Sequence, residues 1–188
     1  KPSSAGLTGS ITLPLAHLCV GITGHRYSNP VFGKNHAAVD AALGSLCEII
    51  GTVVARQGDA IAPTRLHSLL AHGADLMSVE QALLRNWDIV APLPFGLALN
   101  AAINAHPETA EDALAIIAGE SPDCAEAGAR AEHIRALAAR ALCFELAEQD
   151  EAITHRYIES LRSPNDPTAA SAFATLCSRL RTSLDQAQ

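Results

Sequence analysis

The stretch Leu15-Ala16-His17-Leu18-Cys19-Val20-Gly21-Ile22-Thr23-Gly24-His25-Arg26 decides how the chain is read. It starts as a short apolar run, residues 15–22, and closes on Gly-Ile-Thr-Gly. The run reads as a buried strand and the glycines as a tight turn after it. A turn at the carboxyl end of a first parallel strand is a place where glycine lets backbone approach a ligand closely. Gly21, Thr23, Gly24, His25 and Arg26 are therefore candidate phosphate-binding residues. Backbone N–H groups would meet the oxygens, Thr23 and His25 would donate hydrogen bonds, and Arg26 would add a bidentate contact. The plain alternative is a tight strand-to-loop turn with a surface arginine. The spacing is not GxGxxG, so the usual dinucleotide fingerprint is missing.

Outward from that turn, residues 27–35 read as a loop broken by Pro30 and Gly33. Residues 36–57 read as a helix, with Val39, Leu43, Leu46, Ile50 and Val53 on one face and Gly58 ending it. Residues 65–70 are a second strand, although Leu66 and Leu69-Leu70 fit a helix equally. Ala71-His72-Gly73-Ala74-Asp75 then opens a helix whose apolar face holds Met77, Ala82, Leu83 and Leu84. A glycine just before a helix leaves N–H groups free at the positive helix end. Gly73 and Ala74 are thus candidates to offer N–H groups to an anion, and Asp75 to bind a ribose hydroxyl or cap its helix. An ordinary capped helix start is the plain alternative. Residues 88–93 form a third strand stopped by Pro94. Pro94 and Phe95 complete the candidate site, with Phe95 stacking on a ring; the alternative tucks Phe95 into the core.

Strand, helix, strand, helix, strand predicts a parallel sheet with right-handed crossovers. Loops after neighbouring strands meet at the carboxyl edge, so the two anion-friendly loops point to one ligand with phosphate and sugar groups. After Gly96 the chain turns Ala-rich and shows no further strand. Helices are expected over 108–118, then over 129–161 as one long helix or two in succession, then over 169–184. The middle stretch carries Ile134, Leu137, Ala141 and Phe144, then Ile153, Tyr157 and Leu161. The last carries Phe173, Leu176, Leu180 and Leu184. The expected fold class is α/β: a Rossmann-like three-layer parallel sheet, incomplete, with an α-helical C-terminal half. Residues 11–96 would be the nucleotide-binding half-domain and residues 97–188 the helical region. Helices within 129–184 are candidates to pair with a second copy and make a homo-oligomer.

Composition narrows the partners. The formal net charge is −7, with 13 basic and 20 acidic residues. Between Arg85 and Arg130 there is no Lys or Arg, while Asp88, Glu108, Glu111, Asp112, Glu120, Asp123 and Glu126 fall in that stretch. A nucleic acid would be repelled by it. No uninterrupted apolar run reaches the ~18 residues of a membrane span, and no basic start precedes an apolar signal core. The five cysteines are widely spaced and odd in number, which fits a reduced, cytoplasmic setting. No metal set is evident: His67 and His72 lack a ligand spacing and a completing group. Glu145, Glu148, Asp150 and Glu151 read as a solvated helix face. If the chain cleaved an N-glycosidic bond, Asp75 or Glu80 would have to supply the carboxylate. No cofactor is named by the sequence.

Three ordered motifs carry a resemblance. Val20-Gly21-Ile22-Thr23-Gly24-His25-Arg26, then Leu70-Ala71-His72-Gly73-Ala74-Asp75, then Ile89-Val90-Ala91-Pro92-Leu93-Pro94-Phe95 resemble the start of the SLOG superfamily. That group includes the Smf/DNA-processing protein A proteins and the "lonely guy" phosphoribohydrolases. The likeness spans residues 15–96 and implies a Rossmann-like fold binding a nucleotide or nucleotide derivative across these loops. A fourth strand of the family type, its Gly-rich loop and the PGGxGTxxE motif are absent from this sequence. The expectation is a chain that lacks the closing strands.

Overall fold

A computed structural model describes residues 15–58, 61–145 and 151–186, with side chains as far as Ser178. The expectations about Glu148 and Asp150, and about the side chains of Leu180 and Leu184, lie outside these described positions. In chain order the elements are β1 (Cys19–Gly21), α1 (Pro30–Ala55), β2 (Arg65–His67), α2 (Ala74–Leu83), β3 (Asp88–Leu93), α3 (Leu97–Ala105), α4 (Ala110–Ala118), α5 (Ala125–Ala138), β4 (Leu142–Glu145), α6 (Glu151–Arg162) and α7 (Pro167–Gln186).

The four strands pair in sequence order, β1-β2-β3-β4, and every pair is parallel. The architecture is α/β with a helical C-terminal half, as expected. Three strands lie where the apolar runs placed them, with β3 matching residues 88–93 and β1 shorter than the 15–22 run. The loop expected over residues 27–35 is corrected. Asn29 is an N-cap whose Oδ1 accepts from the Val31 and Phe32 N–H groups, and Pro30 opens α1. Proline at a first helical position has no N–H to waste and a preset φ, so it starts a helix there.

The absence of a strand after residue 96 is also corrected. Residues 142–145, read as helical, form β4 alongside Val90–Leu93 of β3. Helix α5 stops at Ala138, and the chain turns into an alternating tetrapeptide that puts Cys143 toward the core and Leu142 and Phe144 outward. The open edge of β3 offers unpaired backbone groups, and pairing there overrides the helical preference of the Ala-rich flanks. The second half of the chain is therefore not separate from the first: it returns α5 and β4 to the sheet.

Consecutive order with right-handed crossovers sends every crossing helix to one face. The core obeys this. Val20, Leu66, Ile89, Ala91, Leu93 and Cys143 project into one cluster with Cys47 of α1, Leu76, Val79 and Ala82 of α2, and Ile134 and Leu137 of α5. A second cluster, built from Phe95, α3, α4, α5 and α6, holds no strand residue. The opposite sheet row, which includes His67, Val90, Leu142 and Phe144, belongs to neither cluster. Helix α1 is long and apolar enough by length and composition to cross a membrane, and only 6% of its most apolar window is buried.

Candidate functional site

The loop leaving β1 crosses the loop leaving β2. Arg26 and Gly73 form an antiparallel bridge. The Tyr27 N–H donates to the His72 carbonyl at 3.0 Å, and the Ala74 N–H donates to the His25 carbonyl at 3.2 Å. The glycines make this contact possible. Gly73 has φ +145°, and a Cβ there would sit 2.5 Å from the His25 carbonyl oxygen. A Cβ on Gly24 would sit 2.5 Å from the Ala74 Cβ. Their local task is to bring two backbones together, with Gly21 in open space. The Ala74 N–H, expected to meet an anion, is engaged by the β1 loop.

Asp75 faces inward. Its Oδ2 accepts the Leu69 N–H at 3.2 Å and lies 3.5 Å from the Ser68 hydroxyl, which in turn accepts the Leu70 N–H at 3.1 Å. These bonds hold Leu70, fully buried at φ +54°, in the left-handed region. Burial pushes the Asp75 carboxyl above its usual range, against the opposing pull of the Leu69 and Ala71 N–H groups, Ser68 and the Arg26 guanidinium. Asp75 thus braces the β2 loop from the first turn of α2, where a carboxylate also offsets the positive helix end. Glu80, the other carboxylate considered for bond cleavage, is 2.9 Å from His133 Nε2. Both acids are occupied.

Beside the crossing lies a row of rings. Tyr27 stacks on His72 with centroids 5.1 Å apart, and His72 lies 6.2 Å from His106. Tyr27 also meets His36 and the edge of Phe32. His106 ends α3 in the left-handed conformation, φ 50°. Arg130 from α5 caps that end, its Nε donating to the Ala105 carbonyl at 2.6 Å. Burial depresses the His72 pKa to about 4, helped by His106, Arg130 and His133. Burial, then Arg26 and Arg130, lowers that of His106. Both imidazoles are neutral at physiological pH, each with one N–H to give. His106 Nε2 is buried with no partner. Arg26 is exposed and makes no ion pair among the described residues. The crossing therefore gathers one exposed guanidinium, two neutral imidazoles and the buried Asp75 carboxyl, with Arg26 acting electrostatically on both Asp75 and His106. No group of His, Cys, Asp and Glu suited to a metal exists among the described residues.

Pro94 and Phe95 fall elsewhere. Phe95 is buried in the helical cluster and forms the wall of a cleft of about 500 Å³ with Leu99, Leu114, Ile153 and Ile158. Its rim carries Glu151, His155 and Arg162. Glu145, read as part of a solvated helix face, ends β4 and accepts the Leu97 N–H at 2.9 Å, capping α3. So Gly24, His25, Arg26, Gly73 and Ala74 meet at the loop crossing, and Asp75 braces the β2 loop beside it. Gly21 lies in β1 opposite His67 and Thr23 is exposed on the loop after it, while Phe95 lines a different wall with half-buried Pro94 just before it.

Sequence reasoning missed Tyr27, His106 and Arg130 as parts of the site, and considered His72 only as a metal ligand. A signal was present. Arg130 is the first basic residue after Arg85, and a lone cation ending an acidic stretch marks a position to inspect. No protein-family model, curated protein or solved structure matches the chain.

Proposed function

We propose that the chain binds a nucleotide or nucleotide-derived ligand, as a sensor or regulatory module, with the phosphate at Arg26. The observation that carries this reading is the exposed, unpaired Arg26 pinned by its bridge to Gly73 beside His72 and His106. The bridge fixes the backbone from which the Arg26 guanidinium reaches a phosphate, and a neutral imidazole near it donates a hydrogen bond without adding charge. The likeness of the three motifs to the SLOG superfamily supports the same class of ligand. The wide spacing and odd number of the five cysteines fit a cytoplasmic setting. The occupied Asp75 and Glu80 favour binding over hydrolysis of the ligand.

The test is calorimetric titration of the chain with a panel of nucleoside mono- and diphosphates. Arg26→Ala is expected to weaken the binding seen at least tenfold, about 1.4 kcal/mol. Equal affinity of variant and parent removes Arg26 from the site.

A further inference from the structure

The apolar positions of α5 and α6, offered above as an oligomer surface, are packed inside the chain: Ile134 and Leu137 in one cluster, Ile153, Tyr157 and Ile158 in the other. Exposed apolar surface gathers instead on α1. Val31, Leu46, Ile49 and Val53 are 71%, 52%, 62% and 51% exposed, and Ala38 and Ala42 between them are exposed as well. At about 100° per residue these six fall within a stripe roughly 80° wide. The buried side of the helix, marked by Cys47 and Ile50, lies away from it. Monomers rarely leave such a stripe bare.

The charges on this face are few and ordered. Lys34 and Glu48 are exposed and have no ion-pair partner within the chain, among the described residues. Asp40, the third charge of α1, accepts from the Gln81 amide on the other side. Lys34 and Glu48 are fourteen residues apart, about four turns, and therefore share one flank of the stripe. Their midpoint is Ala41, next to Ala42 in the middle of the stripe.

From this self-complementary pattern we infer that α1 pairs with α1 of a second copy, antiparallel, about a two-fold axis near Ala42. Antiparallel pairing sets Val31 against the partner's Val53, Ala38 against the partner's Leu46, and Ala42 against the partner's Ala42. Small side chains at the centre let the axes approach, and Leu46 meets the partner's Ala38 on either side of it. Lys34 falls within a turn of the partner's Glu48, and the symmetry repeats the pair. A helix about 39 Å long with a face about 10 Å wide covers roughly 400 Å² per copy, half the ~800 Å² of a standard interface. The dimer is accordingly weak and concentration-dependent. A lipid surface is the other occupant such a stripe admits, but the paired opposite charges serve a protein partner and are idle in lipid.

Sedimentation velocity of the full chain over a wide concentration range tests this. The mass is expected to rise from 19.6 kDa toward twice that value. Lys34→Glu and Glu48→Lys should each weaken association at least tenfold, and the double swap should restore it. Ile49→Asp should abolish it. All three positions are exposed, so circular dichroism should stay unchanged. A parent that remains monomeric, a double swap as weak as the single variants, or association indifferent to Ile49→Asp overturns the proposal. So does a monomer that binds neutral phosphatidylcholine vesicles through Ile49, which assigns the face to lipid.

Discussion

Gly73 holds the candidate site together at the scale of one residue. Its φ of +145° and the 2.5 Å gap to the His25 carbonyl leave no room for a methyl group. Gly73→Ala is expected to cost about 2–4 kcal/mol in urea denaturation, because either the helix start or the Arg26 loop must move. A loss under 1 kcal/mol would show that the crossing is soft. His72 gives a second prediction. Burial lowers its pKa in the folded chain to about 4, against about 6.5 unfolded. Between those values the unfolded chain binds more protons, so stability rises with pH in that window and falls as pH drops from about 6.5 toward 4. His72→Phe keeps a ring over Tyr27 and removes the titration. Its stability curve should be flatter over that range, and a curve parallel to the parent's would take His72 out of the acid response. The glycines and Arg26 of this site were legible because turn chemistry is local. His106 and Arg130 were not, because they arrive from elements 33 or more positions after Gly73, and periodicity carries no information on which helix ends meet.

At the scale of elements, local signals fixed what local forces decide. The β3 run and the end of α4 at residue 118 were read directly, and Gly119 follows as a left-handed C-cap at φ 79°. The start of α1 was missed by treating Pro30 as a breaker when Asn29 makes it an opener. Strand β4 was missed because four residues are too few to show a period, and its reason to exist is the free edge of β3. Gly51 tests how far helix preference matters in α1. It is interior to the helix, and a Cβ there meets nothing within 4 Å. Gly51→Ala should therefore stabilise the fold by about 0.5–1 kcal/mol, read as a rise in melting temperature. A neutral or negative change would mean that α1 gains nothing from added helix propensity.

At the scale of the whole molecule, the question is whether the sheet core and the helical cluster unfold together. Two helices serve both. Ala101 of α3 packs with the sheet while Leu99, Ala102 and Ile103 pack with the helical cluster, and α5 gives Ile134 and Leu137 to one and Ala127 and Ala131 to the other. The Tyr157 hydroxyl of α6 also donates to the Ala102 carbonyl at 3.2 Å. A rigid helix cannot hold one face in place while the other melts, so the two clusters should form one cooperative unit. The single tryptophan, Trp87, is buried in the sheet cluster and reports on it alone. Ile116 is fully buried in the helical cluster. Ile116→Ala removes methylenes far from Trp87 in contact terms and should cost about 2–5 kcal/mol. If the clusters are coupled, this variant shifts the Trp87 fluorescence midpoint in urea as far as the circular dichroism midpoint, and the two transitions coincide. Should Trp87 keep the parent midpoint while helicity falls earlier, the helical cluster melts on its own and α3 and α5 do not transmit its loss to the sheet.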